Sequence, residues 1–157
     1  YVREQLEKKK LSVLVLDGDE IRKKSSLRLS YNRKDVEKNN LNIARYCEDE
    51  RFNFDVIFVP VISPIDSVRK QIRKILAPNF NLIYMKADIE SLISRDPKGL
   101  YKKASNGEII DLIGFSDQNP YDIPQDYDYH INTSNLFDIG KSKDLFLKYV
   151  LEEISNL

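Results

Sequence analysis

Two carboxylates one residue apart, Asp17 and Asp19, flank a glycine directly after a short apolar run, and Arg22 follows three positions later. Acids in this arrangement can divide a phosphoryl transfer between them: one holds a metal-bound water, the other accepts a proton from a hydroxyl. Gly18 permits a tight turn, and Arg22 can grip a phosphate with two parallel hydrogen bonds. The same residues also suit a polar turn whose acids cap the next helix. A second candidate is Ile62-Ser63-Pro64, which closes another apolar run. It reads equally as a strand end with Pro64 in the first turn of a helix.

The third candidate is the segment Arg95-Asp96-Pro97-Lys98-Gly99-Leu100-Tyr101-Lys102-Lys103-Ala104, which gathers four cations around a turn-forming stretch. Cations at that density suit the polyanionic tail of a nucleotide, and they also suit a solvated loop. Gly107-Glu108-Ile109, Gly114 and Pro120-Tyr121 are too loosely spaced to define a site. His130 is the only histidine, so no Ser-His-Asp triad or histidine-based metal centre can be assembled. It reads as structural, and Cys47, on an apolar helix face, reads as core.

The elements that must position these groups alternate. Residues 1–10 read as the tail of an amphipathic helix, with Val2 and Leu6 on one face. Leu11–Leu16, Asp55–Val61, Asn81–Met85 and Tyr129–Asn132 read as strands. Residues 33–51, 65–77, 89–94 and 138–155 read as helices. Residues 97–120, rich in Gly, Pro and charge, read as a mobile flap. Alternation of this kind predicts right-handed βαβ units, a parallel sheet and a single α/β domain. Ligands of such sheets sit beyond the carboxyl ends of the strands, where Asp17, Asp19 and Ser63 fall.

A chain of 157 residues with 41% hydrophobic content can bury one sizeable core. Its 25 Lys and Arg balance 25 Asp and Glu, which argues against a nucleic-acid partner. One cysteine allows no internal disulfide and fits a reducing, cytoplasmic setting. No apolar run approaches the ~20 residues of a membrane span, and the charged start does not resemble a signal peptide.

Taken in order, LDGDEIR (Leu16–Arg22), ISP (Ile62–Pro64), RDPKGLYKKA (Arg95–Ala104), GEI (Gly107–Ile109) and PYDIP (Pro120–Pro124) resemble the adenylylsulfate (APS) kinase family over nearly the whole chain. That resemblance implies the three-layer, parallel-sheet fold of P-loop nucleoside-triphosphate-hydrolase-type kinases. It also implies transfer of the ATP γ-phosphate, with magnesium (Mg2+), to the ribose 3′-hydroxyl of APS. Asp19 would be the base and Asp17 would stand on the magnesium side. Arg22 and Asn39 would hold the acceptor nucleotide, Tyr31 would stack on its base, and Ile62 would offer a backbone contact. Ser63 matches a serine that some members phosphorylate. Lys98 would reach substrate and phosphates, and Arg95 and Thr133 would approach the ATP adenine. A homodimer is implied as well, with a flap at about 96–120.

The sequence departs from the family in two respects. The Gly-rich loop ending in Gly-Lys-Ser/Thr, with its strand, is not in the chain and is expected roughly 10–20 residues upstream of Tyr1. On the acceptor side, Val36 stands where the family has arginine, Leu41 and Asn42 stand for paired arginines, and Leu112 replaces an aromatic. A lost charge-assisted contact costs ~1.5–3 kcal/mol and a lost stacking partner ~1–3 kcal/mol. Either another arginine compensates, such as Arg28 or Arg33, or the acceptor differs. Cytidine diphosphoramidate, the substrate of an APS-kinase-like enzyme of bacterial capsule phosphoramidate synthesis, is the alternative acceptor. A non-catalytic nucleotide-binding domain is the rival of another class.

Overall fold

The computed structural model describes residues 1–24, 32–134 and 138–156. In chain order the elements are α1 (Val2–Lys8), β1 (Val13–Val15), α2 (Gly18–Lys24), α3 (Arg33–Glu50), β2 (Val56–Phe58), α4 (Asp66–Leu76), β3 (Ile83–Lys86), α5 (Ile89–Arg95), α6 (Leu100–Ser105), β4 (Tyr129–Asn132) and α7 (Ile139–Ser155).

All observed pairing is parallel. β1 runs beside β2 with Val13 opposite Val56, and β3 runs beside β4 with Ile83 opposite Tyr129. Strands buried on both faces need apolar residues at successive positions, and β1–β2 shows why. Val13, Val56 and Phe58 pack with Val2, Leu6 and Val150, beneath α1 and α7. Leu14, Leu16, Ile57, Val59 and Val61 pack with Ile43 and Cys47 of α3 and Leu76 of α4. Helices therefore cover both faces of this pair, which gives the three layers expected from the sequence.

The single sheet that the alternation predicts is divided, among the described residues, into two parallel pairs. Helices rather than ladder hydrogen bonds tie them together. Phe146 of α7 packs against Phe58 of β2, and one turn further Tyr149 stacks on Tyr129 of β4 with ring centroids 4.4 Å apart. From α4, Arg73 reaches Asp128, just before β4, at 2.8 Å.

Three further differences from the sequence reading have local causes. The strands are shorter than the apolar runs, because only three or four residues of each pair. The segment after β1 is helix α2 rather than a turn alone: Asp17 Oδ1 accepts from the Asp19 and Glu20 amides at 2.9 and 3.1 Å, which starts the helix immediately. Residues 97–120 contain α6 and a folded turn, in which Tyr101 meets Phe115 edge to face at 5.6 Å. Tyr31 and Arg28 lie outside the described residues.

Candidate active site

The turn after β1 and the loop after β2 touch. Gly18 donates its amide to the Pro60 carbonyl at 3.3 Å. A Cβ on Gly18 would stand 2.5 Å from Val61 Cγ1. Glycine is needed here for close approach and not, as its place in a turn suggested, for an unusual φ; its backbone is helical. This contact brings Asp17 and Asp19 beside the Ile62–Pro64 loop.

Asp17 is half-buried and spends Oδ1 on the two α2 amides. Asp19 is exposed, and its Oδ2 accepts from Lys98 Nζ at 3.1 Å across 79 residues of sequence. The first and third candidate segments therefore meet. Gly99, in the left-handed region at φ 65°, turns the chain there. Asp96 then accepts from the Tyr101 and Lys102 amides at 3.2 and 3.0 Å and starts α6. Arg22 lies on α2, half-buried, in the turn that follows Asp19.

The Ile62–Pro64 loop is held from two helices. Asn39 and Asn40 are both buried on α3. Asn40 Nδ2 donates to the Ile62 carbonyl at 3.1 Å, while the Ile62 side chain stays 61% exposed. Arg69 of α4 is 3% exposed. It donates Nη1 to the Ser63 carbonyl and Nη2 to the Asp122 carbonyl, each at 2.7 Å. The Ser63 hydroxyl oxygen is buried without a hydrogen-bond partner among the described residues.

Arg95 and Thr133 also meet. Arg95 Nη1 donates to the Thr133 carbonyl at 2.7 Å and Nε to the Ser91 carbonyl at 3.1 Å. The Thr133 amide continues the β3–β4 edge by donating to Lys86 O at 2.7 Å. Beside them Asp88 caps α5 through the Ser91 amide, and the Ser134 and Ser91 hydroxyls hold its carboxyl far below the usual range.

The four cations of the third segment do not act as one cluster. Arg95 is turned to the end of β4 and Lys98 to Asp19, while Lys102 and Lys103 are exposed on α6. Leu112 enters through its backbone, its carbonyl accepting from the Phe115 and Ser116 amides at 3.1 and 2.9 Å. Arg33, one of two arginines proposed to compensate on the acceptor side, has both terminal nitrogens engaged, Nη1 on Pro120 O at 3.0 Å and Nη2 on Asp122 Oδ2 at 2.9 Å. Asn40, Arg69 and Asp122 do not emerge from sequence reasoning as site residues. Asn40 and Arg69 lie on buried helix faces where an apolar residue is the default, and only the place of Asp122 within the PYDIP motif signalled it.

Parallel strands covered by helices on both faces, with carboxylates beyond the end of β1 and one of them, Asp19, met by a lysine from a distant segment, fit an α/β fold of the P-loop kinase type. The chain belongs to the adenylylsulfate kinase family, since the profile described as "Adenylylsulphate kinase" matches residues 1–132. A probable adenylyl-sulfate kinase of Halalkalibacterium halodurans is 33% identical over 98% of this chain and 73% of its own length. That of Bacillus subtilis is 33% identical over 91% of this chain and 72% of its own length. The Mycobacterium tuberculosis APS kinase, solved in complex with AMPPNP and APS, superposes with a TM-score of 0.82 at 27% identity, covering 98% of this chain and 86% of that one.

Proposed function

We propose that the protein transfers the ATP γ-phosphate to the ribose 3′-hydroxyl of adenylylsulfate. The observation that carries this reading is the pairing of Lys98 with Asp19 beyond the end of β1, where the Gly18 turn touches Pro60 and Val61 at the end of β2. Asp19 takes the hydroxyl proton as the new O–P bond forms and the bond from the γ-phosphorus to ADP breaks. Lys98 leaves Asp19 for the phosphates as charge develops there. Arg22, Asn39, Tyr31 and Leu112 line the acceptor, Ile62 and Ser63 present the loop to it, and Arg95 with Thr133 borders the ATP adenine.

Magnesium fits the donor set in one way. Among the described residues no group of three or more His, Cys, Asp or Glu could hold an ion. A magnesium carried mainly by nucleotide phosphates and water needs only one carboxylate, and Asp17, with one oxygen on the α2 amides, suits that role. When bound, the ion neutralises charge on the transferring phosphates.

Residues 1–157 are proposed to belong to a single kinase domain whose sheet takes one further strand, followed by a phosphate-binding loop. The division of the described strands into two parallel pairs supports this, since one strand between them would complete a five-stranded sheet. We read the whole as a cytoplasmic homodimer. No helix among the described residues is long and apolar enough to cross a membrane.

A second acceptor, cytidine diphosphoramidate, is favoured by one observation: Arg33 is committed to Asp122 and Pro120, which removes one of the two candidates to replace the arginine at Val36. A coupled assay of the polypeptide with its upstream loop, offered each acceptor with ATP and magnesium, separates the readings. Turnover of adenylylsulfate alone supports the first, and turnover of cytidine diphosphoramidate alone supports the second. Turnover of neither, with nucleotide still bound, points to a non-catalytic domain.

A further inference from the structure

The segment 120–122 is fastened to the candidate acceptor wall by an unusually complete set of contacts. Asp122 Oδ2 accepts from Arg33 Nη2 at 2.9 Å and from the Asp66 amide at 3.0 Å. The Asp122 amide donates to Pro64 O at 2.8 Å, and its carbonyl accepts from Arg69 Nη2 at 2.7 Å. Arg33 adds Nη1 to Pro120 O at 3.0 Å. Asp122, at the downstream root of the 96–120 segment, thus joins the first turns of α3 and α4 through its carboxylate and the Ile62–Pro64 loop through its backbone amide. The hydrogen bond it accepts from the Asp66 amide, with the cations of Arg33 and Arg69 nearby, holds the Asp122 carboxyl below the usual range.

The fastening continues into the flap. Tyr121 lies against Gly114, where an added Cβ would meet Tyr121 Cβ at 3.3 Å, and Gly114 donates its amide to Asn119 O at 2.9 Å. The Arg69 guanidinium sits 5.9 Å from the Tyr121 ring centroid. Leu112–Asn119 is thereby fixed relative to Ser63 and to Asn39 on α3, two turns along from Arg33.

We propose that Arg33 and Asp122 are a positioning pair that sets acceptor affinity by seating the root of the flap on the Ile62–Pro64 loop. Neither side chain is asked to touch the acceptor or the reacting atoms. The inference rests on the acceptor site proposed above. An isolated, half-exposed ion pair contributes little to stability. The effect of this one lies in geometry: a wall displaced by an ångström loses substrate contacts far from the mutated atoms.

The test uses the full chain with its upstream loop and variants Arg33→Met, Arg33→Lys, Asp122→Asn and the double variant Arg33→Met/Asp122→Asn. Binding of adenylylsulfate, of cytidine diphosphoramidate and of AMPPNP is measured by calorimetry, and backbone hydrogen exchange is followed over residues 112–122. Arg33→Met and Asp122→Asn are each expected to weaken the acceptor that wild type binds by roughly three- to tenfold. AMPPNP affinity should stay within about twofold. The double variant should be no worse than the weaker single one, Arg33→Lys should recover part of the loss, and amides 112–122 should exchange faster. Unchanged acceptor affinity, or an equal loss for AMPPNP accompanied by a lower Tm, overturns the proposal. If wild type binds neither acceptor, the proposed function fails and the affinity effect fails with it. The exchange data then still decide whether the pair seats the flap root.

Discussion

Lys98 Nζ stands 3.1 Å from Asp19 Oδ2, so the flap places its lysine on the carboxylate that the proposed reaction needs as a base. Both side chains are largely exposed, and an exposed pair contributes at most about 1 kcal/mol to stability. Asp19→Ala is therefore expected to leave Tm nearly unchanged while lowering kcat by about a hundredfold or more. Lys98→Met should likewise spare Tm. Turnover by Asp19→Ala within a few-fold of wild type removes Asp19 as the base.

Gly18→Ala is expected to destabilise the domain by about 1–3 kcal/mol, because its Cβ would meet Val61 Cγ1 at 2.5 Å. Val61→Ala removes that methyl, so the double variant Gly18→Ala/Val61→Ala should recover part of the loss. Urea unfolding of the two single variants and the double variant checks this, and additive losses would sink the close-approach account.

Arg69→Leu should destabilise by about 2–4 kcal/mol, the cost of leaving two carbonyls without donors. The guanidinium is buried, and its removal strips the Ser63 and Asp122 carbonyls of their donors while leaving Asp66 with Lys70 as its remaining ion-pair partner. Loss of stability comparable to that of an exposed substitution such as Lys70→Leu would show the carbonyls find water instead.

Burial pushes the Cys47 thiol up to about 11. A thiol unfolds to a value near 8.5, so the raised native value gives stability that is complete below about pH 8.5 and lost as pH rises toward about 11. Labelling by a thiol reagent at pH 8 should be slow in the native protein and fast in urea. Prompt native labelling would contradict the buried position on α3.

Asp66, Asp88 and Asp122 are all held below their ordinary values, by Lys70, by the Ser134 and Ser91 hydroxyls, and by the Asp66 amide respectively. Depressed carboxyls bind fewer protons folded than unfolded. Their contribution is full above the unfolded value near 3.9 and falls as pH drops through the lower native values. Urea midpoints should hold steady from pH 7 to about pH 5 and then decline, with a shallower decline for Asp88→Asn. A midpoint independent of pH down to about pH 3 would contradict this.

Periodicity and apolar runs determined the order of elements. The four strands fall within or beside the predicted runs, and α3, α4, α5 and α7 within a residue or two of their predicted ranges, because those patterns report burial that local sequence already encodes. The chemistry-bearing segments were legible too, since Asp-Gly-Asp, Ile-Ser-Pro and the lysine-rich stretch combine residue types that turns and phosphate chemistry both favour. What tertiary structure decided is which of these meet. Asp19 and Lys98 are 79 residues apart, Arg33 and Asp122 are 89 apart, and no local pattern records a contact made through space. The same holds for the inward-facing Asn40 and Arg69, whose value lies in the carbonyls they reach on other elements. It holds also for Gly18, whose small size answers to Val61 on a neighbouring strand's loop and not to its own turn.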